Sequence, residues 1–202
     1  ILRRNDGRYA EALEVLHAGF GSVRRFNETF QALYQRPPGA LRRRKTDAGG
    51  PLRLHLRYRG PLDWDDLLTQ IAAQGDAAET VADGRYQRRF DGGGVSVGRV
   101  DAERLTAEID LPKLDALPRL IAALRRRLDL AADPAAIAAV LAADPRLAAA
   151  VAARPGLRVP GAWDAPADPT PDPAENPAWR PWGVYAARYL ALNSGASDAI
   201  AA

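Results

Sequence analysis

The chain has 202 residues, 47% of them hydrophobic, which suffices for one or two domains with buried cores. Cys is absent, excluding disulfides, thiolate metal sites and cysteine nucleophiles; His17 and His55 have no second imidazole or carboxylate at ligand spacing, so neither metal nor cofactor is expected. The net charge of +3 is uneven: residues 1–45 carry ten Arg or Lys against Asp6, Glu11, Glu14 and Glu28, leaving the remainder acidic, and this asymmetry points to a nucleic-acid surface at the amino end. No apolar run approaches the length of a membrane span, and Arg3-Arg4 is not followed by a signal-peptide core. A soluble, cytoplasmic protein with no membrane partner is expected. The chain begins at Ile1 and contains no Met, which points to a fragment or a conceptual translation.

In chain order, the first predicted helix runs roughly from Tyr9 to Ala18, and Gly19-Phe20-Gly21 forms a short turn after it. Ser22 is a good N-cap, and Val23, Phe26, Phe30 and Leu33 then recur at helical spacing. The opposite face carries Arg24, Arg25, Asn27, Glu28 and Gln31, side chains able to meet base edges and phosphates as a recognition helix does. Pro37-Pro38 stops the helix, and Arg42, Arg43, Arg44 and Lys45 form a cationic clip suited to phosphates. The alternative is an ordinary amphipathic helix with a solvated basic face.

Thr46 to Pro51 reads as a linker. Leu52, Leu54, Leu56 and Tyr58 then alternate with Arg53, His55, Arg57 and Arg59, the period of a half-buried strand with a solvated basic face. Pro61 and Asp63 signal a helix from Leu62 to Gln74, with Leu67, Leu68 and Ile71 inward. Gly84 to Phe90, Gly94 to Arg99 and Arg104 to Asp110 read as three more strands, with a tight turn at Asp91 to Gly94 and another at Asp83-Gly84. A helix from Leu114 to Leu128 follows. The order predicts an α+β unit, an antiparallel sheet with helices on one side. Asp133-Pro134 and Asp144-Pro145 each place Asp at an N-cap and Pro at the first helical position of a short Ala-rich helix. The two Pro-Gly pairs of PGLRVPG read as turns, Ala165 to Pro177 as a flexible Pro/Asp/Ala linker, and the remainder as a C-terminal helix and tail.

The segment AGFGSVRRFNETFQALYQRPPGALRRR resembles the second helix-turn-helix of AraC-type transcription regulators. It is closer still to the form of that motif fused in front of bacterial DNA-3-methyladenine glycosylase II. The resemblance implies that Val23, Arg24, Asn27 and Glu28 face bases. Gln35 stands where the family has a helix-ending Gly, and Glu14 and Val15 where it has an aliphatic-Ala pair. Further along, RYRGPLDWDDLL, VADGRYQRRF, LDLAADP and ARPGLRVPGAWD resemble successive landmarks of the amino-terminal domain of the same glycosylase, so the likeness covers about residues 10 to 164. The resemblance implies the division 1–45 partial helix-turn-helix, 46–51 linker, 52–164 glycosylase amino-terminal domain, 165–177 linker and 178–202 remnant helix. After GAWD, these glycosylases open a large helical domain that carries the catalytic aspartate, whereas here the linker leads to NPAWRPWGVYAARYLAL, which resembles the last helix of that domain. The pattern is that of an internal deletion.

Removing an alkylated base needs an aromatic pocket for the flipped base and a fixed carboxylate beside the sugar. Trp163, Trp179, Trp182 and Tyr185 could stack on a cationic base, but core packing and helix capping explain them more simply. Asp164, Asp168 and Asp172 lie in the flexible stretch, so no catalytic residue is assigned. The expected function is that of a DNA-binding protein of the alkylation-repair glycosylase family, acting on double-stranded DNA in base-excision repair and catalytically incomplete. The alternative is a remnant transcription regulator or a non-functional truncated product.

Overall fold

The computed structural model describes residues 51–112, 116–164 and 176–200. The helix-turn-helix expected over 1–45, most of the 46–51 linker and residues 165–175 lie outside them. The described residues divide into two compact units, one within 51–57 and 75–123, the other within 58–74 and 124–200.

The first unit holds a five-stranded antiparallel sheet in the order β1-β5-β4-β3-β2. Its strands are β1 (Leu52–Arg57), β2 (Glu79–Ala82), β3 (Arg85–Phe90), β4 (Gly93–Arg99) and β5 (Arg104–Asp110). Alternation sets the two faces. Leu54, Ala107, Val97 and Tyr86 share one register row and are all buried. In the next row of the other face, His55 pairs with Thr106, Thr106 with Gly98 and Gly98 with Arg85.

One strand was not expected. β2, Glu-Thr-Val-Ala, is a four-residue edge strand with too little alternation to stand out. It is joined to β3 by Asp83-Gly84, whose φ values of 53° and 66° are those of a two-residue hairpin turn with both central residues left-handed. At the next hairpin β4 starts one residue earlier than the expected Gly94, at Gly93. A Cβ on Gly93 would stand 2.2 Å from the Asp110 carbonyl oxygen, so only glycine fits there.

The second unit is helical. Helix α1 (Trp64–Ala73) is capped by Asp63, whose carboxylate accepts from Asp66 N–H, and it buries Trp64, Leu67, Leu68 and Ile71. The next helix, α2 (Leu117–Arg127), crosses the boundary between the units at residue 123. Helices α3 (Pro134–Leu141) and α4 (Pro145–Ala153) start as the sequence predicts, with Asp133 accepting from Ala136 N–H and Asp144 from Arg146 N–H. A 3₁₀ turn (Pro177–Trp179) then leads into α5 (Gly183–Ile200). Ile137, Leu141, Leu147, Val151 and Leu157 form one cluster with Trp179, Tyr185, Ala186 and Tyr189. No helix among the described residues is long and apolar enough to cross a membrane.

Candidate nucleic-acid interface

The DNA-contacting residues expected from sequence, Ser22, Arg24, Arg25, Asn27, Glu28, Arg42, Arg43 and Arg44, all lie outside the described residues. Within those residues, three arrangements carry chemistry.

The first is the polar face of the sheet. Arg53, His55 and Arg57 on β1 are exposed, as the strand alternation requires. Glu108 on β5 lies between two arginines, 3.1 Å from Arg53 Nη2 and 3.6 Å from Arg85 Nη2. Arg85 lies flat across β4: its Nε donates to Ser96 Oγ at 2.9 Å, and a Cβ on Gly98 would meet its Nη1 at 2.7 Å. The missing side chain at Gly98 is therefore what lets the guanidinium rest on the sheet. Arg104 is taken up by Asp101, at 2.6 Å, which holds the Asp101 carboxyl below its ordinary range.

The second is a buried polar group in the helical unit. Asp129, in the left-handed region at φ 50°, accepts from Val159 N–H at 3.1 Å and from the Tyr185 hydroxyl. Burial raises the pKa of both side chains, and the nearby positive charge of Arg158 works against both shifts. Arg158 is fully buried and donates through Nη2 to the carbonyls of Arg59 and Pro61. Sequence reading singled out neither Asp129 nor Arg158. The one signal available was an aspartate and an arginine each set within apolar neighbours, in LDL and LRV.

The third involves the aromatic residues weighed as base-stacking candidates. Trp179 is buried, donates Nε1–H to Asp144 Oδ2 at 3.1 Å, and carries the Arg146 guanidinium 5.1 Å from its ring centre. Trp182 and Tyr185 meet edge to face at 5.9 Å. The Trp163 carbonyl accepts from Arg126 Nη2 at 3.0 Å, and the Gly161 carbonyl from Arg127 Nη1 at 2.9 Å. Trp179 and Tyr185 thus serve the core, and Arg126 and Arg127 hold the GAWD segment. Asp164 is exposed, while Asp168 and Asp172 lie outside the described residues. Among the described residues no group of three or more His, Asp or Glu could hold a metal ion.

Two relatives share this chain's pattern. Each is named a probable bifunctional transcriptional activator/DNA repair enzyme AlkA, from Mycobacterium tuberculosis strains CDC 1551 / Oshkosh and ATCC 25618 / H37Rv, and each is 34% identical over 154 residues, covering 71% of this chain. The chain spans 31% of their length. Residues 53–164, from β1 through α4 and the GAWD segment, match the AlkA N-terminal domain. With more than half of its length in that match, the chain belongs to the AlkA N-terminal domain family.

Proposed function

We propose that this protein binds double-stranded DNA in the repair of alkylated bases, with residues 1–45 as an AraC-type helix-turn-helix and residues 52–164 as the glycosylase amino-terminal domain. The observation that carries the reading is the family match over residues 53–164, following a basic segment with helix-turn-helix spacing. The relatives' name, transcriptional activator/DNA repair enzyme, joins the same two roles. In this reading Val23, Arg24, Asn27 and Glu28 face bases, Ser22 caps the reading helix, and Arg25, with Arg42, Arg43 and Arg44, meets phosphates. The protein works in the cytoplasm at the nucleoid.

The chain does not itself excise bases. The Pro/Asp/Ala stretch 165–177 stands where the glycosylases carry their helical catalytic domain, and the aromatic side chains after it are engaged in the core. That stretch also favours the second reading, a regulator remnant that binds DNA without taking part in repair.

Purified full chain incubated with alkylated duplex DNA should release no methylated base above a heat-inactivated control; release would overturn the incomplete-enzyme reading. Fluorescence anisotropy should find duplex binding whose log affinity falls with log salt, with residues 1–45 contributing a slope of about −3 to −4 from about three to five neutralised phosphates. Absence of binding would remove the DNA function. Enrichment of one motif from a random duplex pool favours the regulator role.

A further inference from the structure

We infer that the polar face of the five-stranded sheet is a second duplex-DNA contact, with arginines on β1 and β3 meeting the phosphates on either side of a groove. The inference rests on the duplex-DNA reading above but uses different residues.

Arg53 and Arg57 stand four residues apart on β1, and Arg85 and Arg89 four apart on β3, all with side chains on the same face. Four residues of strand span about 13 Å, and the three inter-strand steps from β1 to β3 about 14 Å. The two arginine rows are therefore separated by a little more than the roughly 12 Å width of a major groove. Of the two strands between them, β4 is low, contributing Gly94, Ser96 and Gly98, while β5 contributes Arg104, Thr106, Glu108 and Asp110. Nothing tall enough to keep a duplex away rises from the central strand.

Charge favours the same occupant. With Arg104 cancelled by Asp101, four arginines face two carboxylates, Glu108 and Asp110, and Glu108 is already shared by Arg53 and Arg85. The face is net positive on a part of the chain that is otherwise acidic beyond residue 45. Its described side chains include no Phe, Tyr or Trp and only one ring, the His55 imidazole, so unpaired bases would find no stacking platform, and the chemistry offered is mainly to phosphate.

The test uses the full chain and a duplex of about 20 base pairs, read by anisotropy across a salt series. Each phosphate contact contributes about 0.9 to the slope. The double variant Arg57→Gln, Arg89→Gln should lose about 1.8 of the slope and bind at least tenfold more weakly at low salt. Adding a charge within the β3 row, between Arg85 and Arg89, Gln87→Lys, should instead steepen the slope by about 0.9, which keeps the test decisive if the double variant is poorly folded. An unchanged slope in both overturns the sheet contact while leaving the DNA function of residues 1–45 standing; no duplex binding by the unaltered chain removes both. Tighter binding of a single strand than of the duplex, or displacement of the duplex by polyglutamate at equal charge, would also overturn the inference, the latter in favour of an acidic protein partner.

Discussion

The indole N–H of Trp179 donates to Oδ2 of Asp144, 35 residues earlier, and the other oxygen of that carboxylate caps helix α4. One acid therefore starts a helix and fastens the 3₁₀ turn that precedes α5. The segment after residue 175, which in sequence looks like a leftover end, is built into the core of the helical unit.

Replacing Trp179 by Ala should accordingly cost about 3–5 kcal/mol, the range for removing a large buried aromatic. Trp179→Phe keeps most of the packing and loses the donor, so it should cost less, about 1–2 kcal/mol. Urea unfolding followed by circular dichroism separates the two. Equal midpoints for the unaltered chain and Trp179→Ala would mean that this segment is not part of the cooperative core.

Asp144 also sets a pH window. Hydrogen bonds from the Arg146 side chain and backbone, then from Trp179, hold its carboxyl well below the ordinary 3.8. A carboxylate with a depressed folded pKa contributes stability that is present above its unfolded value and lost as pH falls toward the folded one. The gap in melting temperature between the unaltered chain and Asp144→Ala should be full at pH 6 and shrink as pH drops below about 3.8. A gap that stays constant down to pH 2.5 would show that the charge contributes nothing.

Asp129 has the opposite sign. Burial raises its pKa above 3.8 despite the donors from Tyr185 and Val159 and the charge of Arg158. It therefore lowers stability as pH rises from 3.8 through the folded value, while below 3.8 there is no penalty. Tyr185→Phe removes one donor to this buried group and should cost about 1.5–3 kcal/mol at pH 7, with a smaller deficit at pH 3.5. Asp129→Asn keeps an acceptor oxygen and tolerates the left-handed φ of 50°, so it should flatten the pH profile. Denaturant titrations at the two pH values check both; a Tyr185→Phe deficit larger at pH 3.5 would reverse the assignment.

How far sequence could go follows from the range of each interaction. The Asp-Pro starts of α3 and α4 and the alternation of β1 are local, set by a few adjacent residues, and they are found where the sequence places them. The short strand β2 is held by pairing with β3 rather than by its own composition, so its pattern was silent. Arg85 lying on Gly98 and Arg158 reaching the carbonyls of Arg59 and Pro61 join residues distant in sequence, and no spacing rule reaches across 97 residues. The family resemblance carried more than periodicity did, because it brings such long-range constraints with it.

Two glycines separate conformational need from spatial need. Gly75, after α1, has φ +67° with nothing within 4 Å of a built Cβ. Gly156 has no such φ, but a Cβ there would stand 2.6 Å from Asp63 N and 3.0 Å from the Leu62 carbonyl carbon, both backbone atoms that cannot move aside. Its carbonyl also accepts the Asp63 N–H at 2.8 Å, so the close approach and the hydrogen bond depend on each other. Gly75→Ala should cost about 1–2 kcal/mol from the left-handed backbone, and Gly75→Asn should recover part of that. Gly156→Ala should cost at least about 1–3 kcal/mol from overpacking, with more if the hydrogen bond to the α1 cap residue breaks, and Gly156→Asn should recover none of it. Thermal melts of the four variants test the distinction: recovery by Asn at both positions, or at neither, would show that the two glycines are kept for the same reason.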